Sequence, residues 1–157
     1  MQRTLRRQQG VAAVELGLLL IPLITLIFGV SEYARAMYQY NTLAKSARAG
    51  ARYLSQYQAG NAAAIAVAKC LVVHGNTACN GAPVAPGLTS AMVVVADAST
   101  DNTLKLQPVT ASGLTVGVTN LVRVRVTGYQ FVPVVTFVMT TAITFDPIAV
   151  TMTQALP

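Results

Sequence analysis

The chain has no tryptophan, one histidine, two cysteines and only five acidic residues in 157. Each scarcity removes a class of function. A triad of nucleophile, base and orienting group needs a histidine or lysine near a carboxylate. His74 stands alone, and Asp97, Asp101 and Asp146 sit in turn-like sequence. Asp97 and Asp101 are close enough to share a loop around a cation, but carboxylates among Ser, Thr and Asn are more often turn formers. Two cysteines and one histidine do not complete a four-ligand zinc site. No glycine-rich phosphate loop is present. No enzyme is expected, and no cofactor or metal.

Charge is scarce as well. Charged residues make up 10% of the chain and hydrophobic ones 54%, against about a quarter charged in an ordinary soluble domain. Part of the imbalance is one run, residues 11–30, in which Glu15 is the sole charge, and much of the rest is Ala and Val. About 20 residues of helix span about 30 Å, the thickness of a bilayer's hydrocarbon region. Pro22 lies inside the run, where membrane helices tolerate proline. Residues 1–10 form a basic leader with Arg3, Arg6 and Arg7. Basic residues before a span hold that end in the cytoplasm. The rest of the chain then faces the far side, which in a bacterium is the periplasm.

The net charge of +6 therefore owes three units to the leader, and nucleic acid is an unlikely partner on charge alone. A secretory signal peptide has a shorter apolar core and ends at a small-residue cleavage site. Here the run is longer and passes without a turn signal into further helical sequence. On an oxidising side, Cys70 and Cys79 are expected to pair.

Glu15 is the most informative residue. A carboxylate in hydrocarbon costs roughly 2.5 kcal/mol or more near a helix centre, so it implies a partner or a snorkelled position near the interface. Residues 16–30 offer no counter-charge. The expected partner is another molecule.

Beyond the run, a continuous helix is expected to about Gln58. Tyr33, Met37, Tyr40, Ala44, Ala47, Ala51 and Leu54 form a seam of period near 3.5. It suits another helix or the chain's own sheet, and both at different heights. Lys45, Arg48 and Arg52 share a second face, a possible site for an anionic partner or simply a solvated surface. Asn61 is placed to cap a helix over residues 62–73, which His74-Gly75-Asn76 ends. Residues 79–90 read as loop. Strands are expected at 91–96, 121–129, 142–145 and 148–153, with a hairpin near residues 103–108. Residues 131–139 form an apolar stretch broken by Pro133, either a connection across the sheet or a patch covered by a partner or lipid. The expected fold class is α+β: a long N-terminal transmembrane and amphipathic helix packed on a small, mainly antiparallel sheet. Its parts are a leader (1–10), a span (11–30), a helical continuation (31–58) and a periplasmic α+β domain (59–157).

The segment Arg7-Gln8-Gln9-Gly10-Val11-Ala12-Ala13-Val14-Glu15-Leu16-Gly17 resembles a prepilin junction: basic leader, glycine, apolar helix and a glutamate four positions beyond Val11. With Pro22, the Ala- and Arg-rich stretch that follows and the late Tyr129-x-Phe131-x-Pro133, the chain resembles the TadE-like minor pseudopilins of the tight-adherence (Flp-type) pilus system. That resemblance implies cleavage between Gly10 and Val11 by a prepilin peptidase. It implies docking through Glu15 to the freed amine of a neighbouring subunit. It also implies a single-pass inner-membrane protein with other pilin or pseudopilin subunits and the pilus assembly machinery as partners, and a possible extracellular place in a filament. A membrane-anchored, pilus-associated module binding DNA or anionic surfaces is the alternative. A departure from the family is the final stretch Gln154-Ala155-Leu156-Pro157, where many members carry a charge.

Overall fold

The computed structural model describes the backbone of residues 5–154 and the side chains of residues 10–154. The side chains of the basic leader and residues 155–157 lie outside the described residues.

Helix α1 runs Leu5–Leu54 and α2 runs Ala62–His74. The strands are β1 (Val93–Ala96), β2 (Gln107–Ala111), β3 (Leu114–Val126), β4 (Gln130–Phe131), β5 (Ile143–Thr144) and β6 (Ile148–Gln154). The fold is thus α+β, with a long N-terminal helix and a small antiparallel sheet. The chain divides into two compact units. One comprises α1 as far as Met37 together with Val132–Ala142, and the other comprises Tyr38–Phe131 with the strands from Ile143 onward.

In the second unit β3 is the central strand. Its end half pairs antiparallel with β1 (Val95 opposite Val124) and with β6 (Val124 opposite Val150). Its first half pairs with β2. The alternation predicted for residues 121–129 is present: Val122, Val124 and Val126 are buried while Arg123 and Arg125 are part-exposed. The buried valines pack with Leu43, Ala47, Ala51 and Leu54 of α1 and with Ala64, Ala68 and Val72 of α2. Small residues let the two helices approach closely. At Gly50 an added Cβ would lie 2.6 Å from Val72 Cγ2 and 3.3 Å from the Ala68 carbonyl oxygen, so the crossing has no room for a side chain.

The α2 caps follow the sequence. Asn61 Oδ1 accepts from Ala64 N–H at 3.0 Å. Gly75 at the other end takes φ +72° and its N–H donates to Leu71 O at 3.0 Å, the left-handed geometry glycine adopts without strain. Two expectations are corrected. The helix ends at Leu54 rather than Gln58, and a turn then carries Ser55 N–H to Ala51 O and Tyr57 N–H to Leu54 O. The hairpin turns at Ser112-Gly113, between β2 and β3; residues 102–104 are instead a short 3-10 turn.

Asp97 ties β1 to the turn between the helices. Its buried carboxylate accepts from Gly60 N–H at 2.8 Å, Ser99 N–H at 3.0 Å and the Ser99 and Thr100 hydroxyls. Burial pushes this carboxyl up, but the hydrogen bonds from Ser99, Gly60 and Thr100 together outweigh it and hold it below the usual aspartate range. Asp101 accepts from the N–H and hydroxyl of Thr103 at 2.9 and 2.6 Å. Both aspartates therefore serve as turn formers.

Candidate functional site

The first candidate lies on the early part of α1. Residues 10–28 are all exposed. A core helix of a soluble domain with this composition would be covered by its own chain; this one is long and apolar enough to cross a membrane and none of its most apolar window is buried. Gly10, Val11 and Glu15 all lie on this uncovered stretch. Among the described residues, the Glu15 carboxylate has neither a hydrogen-bond nor an ion-pair partner. Pro22 removes one amide from the helix ladder. One turn on, the Thr25 hydroxyl donates to the Ile21 carbonyl at 2.9 Å.

The second candidate lies at the end of the apolar run, in the same unit. Glu32, the next carboxylate on α1, is buried at 4% exposure. Its Oε1 accepts from the backbone N–H groups of Val134 (3.2 Å) and Val135 (3.1 Å). Its Oε2 accepts from Arg35 Nη2 at 2.9 Å, and the same nitrogen donates to the Val132 carbonyl at 2.7 Å. A glutamate and an arginine three residues apart on one helix face thus clamp both kinds of backbone group in one loop. Below the clamp, the Phe28 and Phe137 rings meet edge to face at 5.7 Å. The sequence alone singles out Glu15 and not Glu32, so this clip emerges only in the structure.

In the second unit, Lys45, Arg48 and Arg52 are exposed, as a solvated or partner-facing stripe should be. The seam divides by height. Ala47, Ala51 and Leu54 are buried, whereas Tyr33, Met37 and Tyr40 are exposed. The buried face is also shifted sideways, since Leu43, Ser46 and Gly50 belong to it.

Cys70 and Cys79 form a disulfide that joins the last turns of α2 to the following loop. They border a cavity of about 350 Å³ with Ala66, Lys69, Val73, His74 and Ser90. His74 Nδ1 lies 2.9 Å from the Gly81 carbonyl, which makes that nitrogen the protonated one and gives the ring a local structural task.

Residues 10–52 match the family model described as TadE-like protein, a family associated with the tight-adherence pilus. The matched segment contains Gly10, Glu15 and Pro22, the Glu32–Arg35 pair and the basic stripe. No curated protein and no solved structure matches the chain.

Proposed function

We propose that this TadE-like chain is a minor pseudopilin: a structural and assembly subunit of a tight-adherence (Flp-type) pilus or a related secretion filament. One observation carries the reading. The TadE-like segment begins with an apolar stretch, residues 10–28, that the chain itself leaves bare, and the one charge in that stretch, Glu15, has no side-chain partner among the described residues.

The proposed mechanism is non-covalent. A prepilin peptidase removes the leader between Gly10 and Val11, and Val11 gains a charged α-amino group. The subunit rests in the inner membrane with α1 spanning over residues 11–30, its start cytoplasmic and the domain of residues 59–157 periplasmic. Packing α1 among other α1 helices covers the bare apolar surface. Glu15 then meets the Val11 amine of a neighbour, so two charges that are each costly in lipid become one pair. Desolvation consumes much of that attraction, so the pair selects axial register more than it adds strength.

The mature N-terminus tests this reading. Mass spectrometry of the chain from cells with and without a prepilin peptidase should give Val11 and Met1, respectively. An intact Met1 in both, or cleavage after residue 30, defeats it. Glu15→Gln should leave processing and membrane insertion unchanged and reduce co-purification with partner pilins. Undiminished incorporation removes the pairing role.

The exposed stripe Lys45, Arg48 and Arg52 favours a second reading, in which the anchored subunit also holds DNA or another anionic surface. Retention on duplex DNA that falls steeply with salt supports it. No retention at low salt dismisses it.

A further inference from the structure

The loop after β4 is exposed where a loop of a soluble domain should not be apolar. Residues 132–142 carry no charge. Val132, Val134 and Phe137 are 66%, 71% and 65% exposed, against a background in which contiguous apolar patches on soluble surfaces mark an interaction site.

Three observations say what covers them. The first is depth. Phe28 lies two residues inside the end of the 11–30 run, about 3 Å at 1.5 Å per residue. Phe137 packs on its ring, and Val138 Cγ1 would lie 3.6 Å from a Cβ at Gly29. Any bilayer that surrounds α1 through residue 30 therefore reaches the loop. The second is hydrogen bonding. An unsatisfied amide is costly in hydrocarbon, and four of the amides in residues 132–139 are engaged, while those of Thr136 and Phe137 have no acceptor among the described residues, which suits the polar boundary and not the hydrocarbon interior. Val134 and Val135 donate to Glu32, Val138 and Met139 donate to the Val135 carbonyl, Pro133 has no N–H, and the Val132 carbonyl accepts from Arg35. The third is the flank. Tyr33 is exposed on the helix just beyond the run, at the level where aromatic side chains with one polar end gather at a membrane surface.

We infer that residues 132–139 form a second membrane contact, laying Val132, Val134 and Phe137 into the boundary between headgroups and acyl chains beside the outer end of α1, with Glu32 and Arg35 holding the loop to the helix. The occupant is the lipid bilayer. The contact fixes how the subunit meets the membrane surface, because one span alone leaves rotation about its axis free. The inference rests on the reading of α1 as a membrane span and goes beyond it.

The absence of tryptophan makes the test clean. Phe137→Trp and, separately, Val134→Trp place a single tryptophan on the loop of the full chain. Leu19→Trp places one in the span. Each is reconstituted into phosphatidylcholine–phosphatidylglycerol vesicles, with and without lipids brominated at shallow or deep acyl positions, and titrated with aqueous acrylamide. Both loop reporters should show blue-shifted emission, lose most intensity to shallow bromines and resist acrylamide, while Leu19→Trp responds to deep bromines. If Leu19→Trp responds to bromine but the loop reporters respond only to acrylamide, the loop is in water; the loop contact is overturned and the span survives. Loop reporters shielded from both quenchers are covered by protein, which also overturns the lipid assignment. A Leu19→Trp blind to bromine overturns the span and the loop contact together.

Discussion

One helix, α1, contains two stretches with opposite surroundings. Residues 10–28 are mostly apolar and exposed throughout, whereas Leu43, Ala47, Ala51 and Leu54 are buried among α2 and the sheet. Hydrophobicity does not distinguish them, because the exposed stretch is the more apolar of the two. Residue size and pattern do. In the later stretch, apolar residues keep to one stripe and give way to Lys45, Arg48 and Arg52 on the other side, as on the surface helix of a folded domain. In the early stretch, apolar residues point in every direction, and a helix apolar all round is stable only when something surrounds it on all sides. The later stretch finds its cover within the chain. The early stretch finds none within the described residues.

The comparison breaks if truncation has the same effect in both places. Leu43→Ala should destabilise the folded domain by about 2–5 kcal/mol, the range for a fully buried leucine. Leu19→Ala should leave the same denaturant midpoint unmoved, since its side chain touches solvent or lipid and not the core. Equal shifts would show that the early stretch also packs within the domain.

Gly50 sharpens the contrast within the buried stretch. In an exposed helix, replacing glycine by alanine stabilises by about 0.5–1 kcal/mol. Here a methyl group would sit against Val72 and the Ala68 carbonyl. Gly50→Ala should therefore destabilise, by about 1–3 kcal/mol as overpacked sites do. Gly17, with nothing near its missing Cβ, should accept alanine without loss. A stabilised Gly50→Ala would mean that the helices part easily.

Asp97 extends the test to pH. Its folded-state pKa lies below the unfolded value of about 3.9. Its contribution is thus fully present above that value and is lost as pH falls through the folded pKa. Asp97→Asn keeps the shape but removes the charge-assisted bonds from Gly60 and Ser99. It should cost about 1–3 kcal/mol at neutral pH and flatten the decline in stability below pH ~4. An unchanged acid limb in urea titrations at several pH values would assign that decline to other carboxylates.

What sequence made legible follows the same division. The apolar run, the α2 caps at Asn61 and Gly75, and the alternation in β3 are local signals, each enforced by one hydrogen-bond or burial requirement. The start of β3 was harder. Leu114, Val116 and Val118 alternate, but all three are exposed, so periodicity there does not report burial; Ser112-Gly113 was the better clue to the turn. The Glu32–Arg35 clip was illegible for another reason. It joins residues about a hundred positions apart through backbone amides, and backbone amides leave no mark in a sequence. Pairing of Cys70 with Cys79 needed only the count of two, whereas the docking role proposed for Glu15 needs a second molecule and so lies outside any single chain.

The smallest effect concerns the basic stripe, and its smallness is what makes it useful. Lys45, Arg48 and Arg52 are exposed on the face of α1 opposite the core. Exposed charges contribute little to folding, typically within about 0.5 kcal/mol on substitution. Replacing all three by alanine should leave the denaturant midpoint nearly unchanged, because the buried stripe of Leu43, Ala47 and Ala51 is untouched. Against that constant background, any loss of binding to DNA, to anionic vesicles or to partner pilins reports recognition and not unfolding. If the triple substitution instead lowers stability by more than about 1 kcal/mol, the stripe is part of the fold, and the division of this stretch into a buried face and a free face is wrong.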